Sequence, residues 1–308
     1  MILCVTLNPL VDMTLFVDEV KPVYRINAKR VTYTAGGKGN NAARALVRLG
    51  EPARVLEPLG GFSGQHEAAL LASDGVEAII APASGDTRVA VTVVDRDYHQ
   101  QAFFTPAAPF TEADVAEVRK RLPDALKGIR AVCLCGSSPG PLADPLFPEI
   151  LREAASRGIP SLLDTYGDAL RLGLEAAPTI VKINRDEAAA LLGHRLKTRE
   201  EQLRALDALR REGVRWVILT LGAEGALFND GSRRWIAHPP PIRAINPIGS
   251  GDAMTAGLLA GLVHGQPPED CFRFGMAAAA ASTARWEACA ITSEEVEALL
   301  PQVLVELL

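Results

Sequence analysis

The sequence predicts an α/β fold, in which a doubly wound, mainly parallel sheet carries helices on both faces and a small β-sheet projects from it as a lid. From about residue 130 onward, short runs rich in valine, isoleucine and leucine alternate with amphipathic stretches, the pattern of βαβ units. Residues 12–34 and 86–106 instead contain pairs of extended, β-branched segments. We expect a single domain over residues 1–308, because one large α/β unit accommodates this length.

The individual elements follow from the local patterns. Buried strands are predicted at 131–135, 161–164, 180–183 and 216–220, and helices at about 143–157, 185–192, 199–212 and 253–264. Right-handed crossovers between such parallel strands place helices on both faces of the sheet. The lid strands are predicted at 14–17, 29–33, 88–94 and 101–104. Their alternation has a period of about two, so we expect a small antiparallel sheet whose exposed face pairs with a second copy to give a homodimer.

Composition and charge exclude several classes of protein. With 48% hydrophobic and 22% charged residues, the chain is neither disordered nor fibrous. The 32 basic and 37 acidic residues give a formal net charge of −5, and no basic stripe is present that would bind nucleic acid. No run reaches the roughly 18 apolar residues of a membrane span, and the short apolar start predicts a first strand rather than a leader. We therefore expect a soluble, cytoplasmic protein without nucleic-acid or membrane partners.

The cysteines also indicate the cellular compartment in which the protein is found. The chain has five, without the spacing of a four-ligand metal site, and the odd number favours free, buried thiols in a reducing cytoplasm. Cys133 and Cys135 are expected to face opposite sides of their strand, so that no disulfide joins them.

A glycine-containing turn at 246–252 leads into a helical pattern. Such a turn directs backbone N–H groups and the positive end of a helix toward an anion, so Gly249, Ser250 and Gly251 form a candidate phosphate cradle. Asp252 lies in the first helical turn. A carboxylate there is either an ordinary first-turn residue or a base beside a bound phosphate.

A second glycine cluster, at 35–41, precedes another helical pattern. Its glycines allow a ligand to approach the backbone, while Lys38 and the amides of Asn40 and Asn41 can bind hydroxyl and phosphate oxygens. The alternative is a flexible, capped loop. The cluster is not a Walker A loop, because Lys38 is followed by glycine. No Gly-x-Gly-x-x-Gly follows the first strand, which disfavours a dinucleotide site.

These two clusters, in this order and roughly 210 residues apart, resemble the signature segments of the PfkB (ribokinase-like) sugar kinases. The resemblance covers essentially the whole chain. Similar segments occur at 6–12, 87–88, 136–139, 164–167, 182–187 and 220–225. The opening Thr-Leu-Asn-Pro with Asp12, together with Thr87 and Arg88, resembles the phosphofructokinase and tagatose-6-phosphate kinase branch.

For catalysis, the resemblance implies that Asp252 is the base that takes the proton from the attacking sugar hydroxyl. The amides of Gly249, Ser250 and Gly251 would stabilise the migrating phosphoryl group.

On the nucleotide side, the resemblance implies roles for Lys182, Asn184, Thr220, Gly222 and Gly225. Asn184 with Glu187 matches an Asn-x-x-Glu segment that helps hold Mg²⁺, with Glu187 acting through water. The same pair also fits a capping box at a helix start. A tight turn after a strand would likewise need the same two glycines.

On the sugar side, the resemblance implies that Asp12, Gly37, Lys38 and Asn41 hold the sugar hydroxyls and nearby phosphate. Arg88 matches an arginine that pairs with a substrate phosphate; an exposed strand arginine is the alternative. Ser137 contacts the substrate or simply ends its strand.

The sequence departs from the family pattern in two places, one beside the candidate phosphate cradle and one in the lid. Asn246-Pro247 stands where relatives often have Asp-Thr, and Ala102 lies near a lid position where some relatives have arginine.

The implied activity is an ATP-dependent kinase that phosphorylates a hydroxymethyl group of a ketohexose monophosphate, with Mg²⁺ as cofactor. The candidate substrates are fructose 1-phosphate, fructose 6-phosphate and tagatose 6-phosphate. The alternatives are a kinase of an unphosphorylated sugar or nucleoside, and a catalytically silent nucleotide-binding regulator of the same fold.

Overall fold

A computed structural model describes residues 1–20 and 25–308, whose strands form two sheets. The strands are β1 (Ile2–Val5), β2 (Leu10–Phe16), β3 (Arg30–Gly36), β4 (Ala53–Leu59), β5 (Glu77–Pro82), β6 (Arg88–Val94), β7 (Gln100–Phe104), β8 (Ala131–Cys135), β9 (Ser161–Asp164), β10 (Ile180–Asn184), β11 (Trp216–Thr220), β12 (Ala226–Asn229), β13 (Arg234–His238) and β14 (Leu304–Leu307). The helices are α1 (Lys38–Arg48), α2 (Gly61–Ser73), α3 (Glu112–Ala125), α4 (Leu146–Ser156), α5 (Gly167–Leu174), α6 (Arg185–Leu192), α7 (Arg199–Arg211), α8 (Ser250–Val263), α9 (Pro268–Thr283) and α10 (Ser293–Leu299). Two short 3₁₀ helices span Gly222–Glu224 and Leu300–Gln302.

The larger sheet is doubly wound and mainly parallel, as the sequence predicts. Its ten strands within the described ranges run in the order β14-β13-β12-β11-β10-β9-β8-β1-β4-β5. The pairs from β11 through β5 are parallel, and β12, β13 and β14 form an antiparallel edge. This edge is not predicted from the sequence. β12 and β13 form a hairpin without the intervening helix that marks a βαβ unit, and β14 is separated from β13 by α8, α9 and α10.

Helices cover both faces of this sheet. Alternate residues of β1 point to opposite faces: Ile2 and Cys4 enter a core layer with α1, α8 and α9, whereas Leu3 and Val5 enter a second layer with α3, α4 and α7. All four side chains are fully buried, and burial stabilises each aliphatic one by about 1.5–3 kcal/mol. Within the ranges described, no helix combines the length and apolar character that crossing a membrane requires.

The cysteines are free and buried, but one expectation about them is wrong. Cys133 and Cys135 belong to the same core layer as Cys4, and Cys4 is in register with Cys133 on the adjacent strand. Strand residues two apart share a face because the pleat has a period of two. The two thiols therefore lie on one side of the sheet.

The smaller sheet, the lid, has the strand order β3-β2-β6-β7. Its two hairpins are antiparallel, but their shared boundary, β2 against β6, is parallel, so the prediction of an antiparallel sheet is wrong for the central pair. The reason is topological: β2 and β6 follow the parallel strands β1 and β5 and leave the main sheet in the same sense. Residues 21–24 of the predicted excursion 12–34 lie outside the described residues.

Candidate active site

A cleft with a volume of about 930 Å³ lies between the main sheet and the lid. Asp164, Asn184 and Thr220 line it and are the last residues of β9, β10 and β11. This is the edge at which open α/β sheets bind ligands. The predicted site residues on the cleft wall are Asp12, Gly37, Lys38, Asn41, Lys182, Asn184, Glu187, Thr220, Gly222, Gly225, Gly249, Ser250, Gly251 and Asp252. Arg88 and Ser137 do not line it.

The N-terminus of α8 faces the cleft. Gly249 is its N-cap and has φ 82°, and a Cβ at this position would lie 2.7 Å from Cβ of Ala288, so both the backbone and the packing require glycine. The N–H of Ser250 donates to the carbonyl of Pro247 at 3.2 Å. The N–H groups of Gly251 and Asp252 have no acceptor within the helix, and both residues line the cleft.

Asp252 lies in this first turn and is buried. Its Oδ2 accepts a hydrogen bond from Nδ2 of Asn41 at 2.8 Å. Burial raises the pKa of Asp252 to about 6, and the Asp164 carboxylate adds to this rise, whereas Asn41 and the ammonium groups of Lys182 and Lys38 oppose it. The carboxylate is thus ionised at neutral pH and has a raised proton affinity, which is the condition for a general base.

Two lysines and an aspartate form a charged cluster beside Asp252. Asp164 lies 2.9 Å from Nζ of Lys38 and 2.5 Å from Nζ of Lys182. Burial by itself would raise the pKa of Asp164, but Lys182 and Lys38 hold it below its usual value. Nζ of Lys182 also lies 3.3 Å from where a Cβ of Gly251 would stand. A positive charge is therefore fixed against the helix start that would receive a phosphate.

Lys38 joins this cluster to a second carboxylate. Its Nζ lies 3.3 Å from Oε1 of Glu187. Burial tends to lower the pKa of Lys38, but Asp164 and Glu187 together raise it well above its usual value. The ammonium is therefore permanently charged at physiological pH.

The capping box predicted at 184–187 is present. Oδ1 of Asn184 accepts from the N–H groups of Asp186 and Glu187, and Oε2 of Glu187 accepts from the N–H of Asn184. These bonds start α6 and fix Glu187 at the cleft wall. The structural interpretation of the pair therefore holds, and it leaves Oε1 of Glu187 facing Lys38.

The turn after β11 also satisfies a structural requirement. Gly225 has φ 101°, and a Cβ there would lie 2.0 Å from the carbonyl oxygen of Ala237. The turn needs glycine at this position whether or not a nucleotide binds. Thr220, Gly222 and Gly225 nevertheless all line the cleft.

One face of the lid forms part of the cleft wall, and Asp12 lies on that face. Asp12 on β2 is in register with Thr34 on β3 and with Ala90 on β6. The lid residues Asp12, Thr34 and Ala102 line the cleft. Oδ1 of Asp12 is buried without a hydrogen-bond partner among the residues that the structure describes. Burial raises the pKa of Asp12, with Arg44 acting against it. Such an orphaned acceptor is suited to a hydroxyl donor on a ligand.

Arg88 and Ser137 are linked through Asn8, outside the cleft wall. Nη2 of Arg88 donates to the carbonyl of Asn8 at 2.9 Å, and Nδ2 of Asn8 donates to Oγ of Ser137 at 2.9 Å. Arg88 is in register with Leu10, a residue of the cleft wall, so it belongs to the cleft-facing side of the lid at its base. Its Nε is buried and finds no partner within the described ranges.

The family follows from a comparison with known proteins. The model of the pfkB family carbohydrate kinases matches residues 2–295. The chain belongs to the pfkB family of carbohydrate kinases. Its activity class is therefore phosphoryl transfer, which agrees with a buried carboxylate and two ammonium groups at a helix start.

Individual relatives match this chain over most of its length and of their own. It is 31% identical to 1-phosphofructokinase of Escherichia coli strain K12 over 280 residues, covering 90% of this chain and 88% of the relative. It is 33% identical to 1-phosphofructokinase of Xanthomonas campestris pv. campestris over 299 residues, covering 95% and 94%. Phosphofructokinase-2 of Escherichia coli in complex with fructose-6-phosphate superposes with a TM-score of 0.88 at 26% identity, covering 97% and 98%.

Two charged residues, one in the candidate site and one beside it, are not among the site residues predicted from the sequence. Asp164 ends a buried apolar strand, and a charge at the carboxyl end of a parallel strand is a signal that could have identified it. Arg44 lies on the predicted helix after the first glycine cluster and gives no such signal. It lies three residues from Asn41 on that helix, a spacing at which side chains meet, at 2.9 Å between Nη1 and Oδ1. Only the tertiary structure brings this pair to Asp252.

Proposed function

We propose that this kinase transfers the γ-phosphoryl group of ATP to a hydroxymethyl group of a ketohexose monophosphate, giving a bisphosphate and ADP. The observation that carries the proposal is the buried carboxylate of Asp252 in the first turn of α8, with Lys182 beside Gly251. The phosphofructokinase relatives support a sugar phosphate as acceptor.

In the proposed step, Asp252 accepts the proton of the hydroxymethyl group as its oxygen bonds to the γ-phosphorus. The bond from that phosphorus to the β–γ bridging oxygen breaks, and its electron pair leaves with ADP. Amides at Gly249 and Gly251, together with the Lys182 ammonium, stabilise the charge of the transferring group. The Ser250 N–H would join them by exchanging the Pro247 carbonyl, to which it donates at 3.2 Å, for a phosphoryl oxygen. A positioned base contributes about 10²- to 10⁴-fold in rate.

The site residues fit a magnesium ion bound with the nucleotide. Glu187 presents a carboxylate at the cleft wall, where Asn184 also lies, and oxygen donors of this kind suit Mg²⁺, which usually retains several waters. Bound there, Mg²⁺ would neutralise charge on the β- and γ-phosphates. Glu187 would hold it through water while its other oxygen caps α6.

On the acceptor side, Asp12 and Asn41 would bind sugar hydroxyls, with Gly37 and Lys38 beside them. Arg88 and Ser137 would bind the substrate phosphate at the base of the lid. The buried, unpartnered Nε of Arg88 supports this assignment, since a guanidinium fork pairs with phosphate through two bonds.

A kinase of an unphosphorylated sugar or nucleoside is a second candidate, because Arg88 does not line the main cleft. The test is an ADP-release assay with fructose 1-phosphate, fructose 6-phosphate, tagatose 6-phosphate and the unphosphorylated sugars. We expect turnover on one of the phosphates. Turnover confined to an unphosphorylated acceptor would support the second candidate, and none on a broad panel would support a silent nucleotide-binding regulator.

Two copies of the chain would also associate through the lid to form a homodimer. Its side away from the cleft is apolar: Tyr33, Met13, Val91 and Phe103 form one row across the four strands. Tyr33 and Phe103 are exposed. A contiguous apolar sheet face of this kind suits burial against an identical face, as a two-fold dimer provides.

A further inference from the structure

We infer that Arg44, a residue of α1 outside the cleft wall, is a positioning residue for Asp252 that acts by fixing the orientation of the Asn41 amide. The inference rests on the proposed role of Asp252 as the base. It adds a residue that does not touch the substrate but determines which atom of Asn41 faces the reacting carboxylate.

The three side chains form a continuous chain of hydrogen bonds. Nη1 of Arg44 donates to Oδ1 of Asn41 at 2.9 Å, and Nδ2 of Asn41 donates to Oδ2 of Asp252 at 2.8 Å. The other nitrogens anchor the guanidinium: Nε donates to Oδ2 of Asp74 at 2.8 Å and Nη2 to the carbonyl of Ala35 at 2.6 Å. The Arg44 side chain is only 4% exposed, so it has no alternative position in solvent.

The chemistry of the guanidinium explains why this arrangement selects one amide orientation. An asparagine side chain can present either its oxygen or its NH₂ group to a neighbour, whereas arginine has donors only. Arg44 can therefore form its hydrogen bond to Asn41 only when Oδ1 of the amide faces the guanidinium. The NH₂ group then must face Asp252, where it stabilises the ionised carboxylate.

Reversal of the amide would place two acceptor oxygens against each other. Ionised Asp252 would lose its donor and face a carbonyl dipole, so the protonated form would become more favourable. A base that is already protonated cannot take the hydroxyl proton. The expected consequence of losing Arg44 is thus a higher pH requirement for activity rather than a uniform loss.

Other groups also act on Asp252 and must be held constant. They are Asp164 on β9, Lys182 on β10, Lys38 on α1, and the thiols of Cys135 and Cys289. None of them is hydrogen-bonded to Arg44 in the described structure. The charge of Arg44 lowers the pKa of the Cys289 thiol, but burial outweighs this and keeps that pKa above its usual value, so the thiol stays neutral with or without Arg44. A change confined to Arg44 and Asp74 therefore leaves this set of charges intact.

The test measures the titration of Asp252 directly, by ¹³C NMR of protein labelled at the aspartate carboxyl carbons. Asp252→Asn identifies the resonance. The test variant combines Arg44→Met with Asp74→Asn, which avoids leaving an unpaired carboxylate. Arg48→Met is the matched control, because Arg48 lies one turn further along α1 and is exposed.

We expect the titration midpoint of Asp252 to rise by about one pH unit in the test variant, since one hydrogen bond to a charged group is lost, and to stay unchanged in Arg48→Met. The low-pH limb of kcat should move by the same amount, with a smaller effect on KM. An unchanged midpoint in a folded test variant overturns the inference. The NMR titration does not need turnover, so it decides the matter even if no sugar phosphate is phosphorylated.

Two single variants keep the test decisive if the double variant does not fold. Arg44→Lys retains a side chain that only donates, so the midpoint should stay within about 0.3 unit of the wild-type value. In the Arg44→Gln variant the new side chain can accept a hydrogen bond as well as donate one, so both amide orientations of Asn41 are allowed and the titration midpoint of Asp252 should rise. Equal midpoints for the Arg44→Lys and Arg44→Gln variants, both folded, would show that Arg44 merely supports the packing of α1.

Discussion

Asn41 and Asp252 are joined by a hydrogen bond of 2.8 Å across 211 residues of sequence. The bond links the starts of two helices, α1 and α8, each of which follows a glycine N-cap. It thereby connects the proposed sugar-binding segment with the proposed phosphate-binding segment at the point where a hydroxyl oxygen would meet phosphorus. The contact also makes the protonation of Asp252 dependent on the α1 side of the site.

The first prediction concerns Asp252 as the base. Asp252→Asn should lower kcat by about 10²- to 10⁴-fold, because the variant keeps the shape of the side chain but cannot accept a proton. In the wild-type enzyme kcat should fall as pH drops below about 6, where the carboxyl group becomes protonated. Stopped ADP-release assays from about pH 5 to pH 8, a range that brackets this midpoint, measure both effects. Near-normal turnover by a folded Asp252→Asn variant would contradict the assignment.

The second prediction concerns the substrate phosphate. Arg88→Met should raise KM for the phosphorylated ketose by roughly 10- to 100-fold, because charge-assisted hydrogen bonds to the phosphate are lost. KM for an unphosphorylated ketose should change little. Arg96→Met is the control, since Arg96 lies on the same lid and is 75% exposed. Equal effects on both acceptors would place the phosphate elsewhere.

The third prediction concerns magnesium. Glu187→Gln should raise the Mg²⁺ concentration for half-maximal rate by about tenfold. Glutamine can still cap α6 by accepting from the N–H of Asn184, so the helix start is preserved and only the charge is removed. Initial rates over a Mg²⁺ titration at saturating sugar phosphate provide the measurement. An unaltered Mg²⁺ dependence would exclude Glu187 from the metal site.

The fourth prediction concerns stability. Glu57 and Glu67 are fully buried and share the amide of Asn40, at 2.8 and 2.9 Å. Burial raises the pKa of both, and Glu57 adds to the rise at Glu67. The native state therefore holds protons that the unfolded chain releases above about pH 4.5, so the free energy of unfolding should fall as pH rises from there through the raised values.

Glu67→Gln should remove part of this pH dependence, because the amide needs no proton to remain neutral. We expect the wild-type protein to lose about 1–3 kcal/mol more than the variant between about pH 5 and pH 9. Urea unfolding at both pH values measures the difference. Glu297→Gln, at an exposed position, should behave like the wild type. Parallel pH profiles for the Glu67→Gln variant and the wild-type protein would contradict the prediction.

The fifth prediction concerns the homodimer. Phe103→Glu should dissociate it, because a charge in the centre of a buried apolar face is costly. Phe62 is 88% exposed on α2, and Phe62→Glu should leave the assembly unchanged. Light scattering at micromolar concentration measures the mass. A wild-type monomer under these conditions would rule out the lid as the interface.

The sequence alone determined the parallel core of the fold and much of the site. Strands such as Trp216–Thr220 are continuous apolar runs, and the capping box of Asn184 and Glu187 is contained within four residues. Both are local signals. The glycine clusters are likewise local, since the glycines satisfy backbone requirements of their own turns.

Only the tertiary structure decided which charges face one another. The parallel pairing of β2 with β6, the burial of Asp164 between Lys38 and Lys182, and the contact of Asn41 with Asp252 each depend on the packing of distant segments. Electrostatic and hydrogen-bond energies depend on separations of a few ångströms and on exclusion of water. A linear sequence specifies neither, so the pKa of Asp252 and its control by α1 emerge only when the chain is folded.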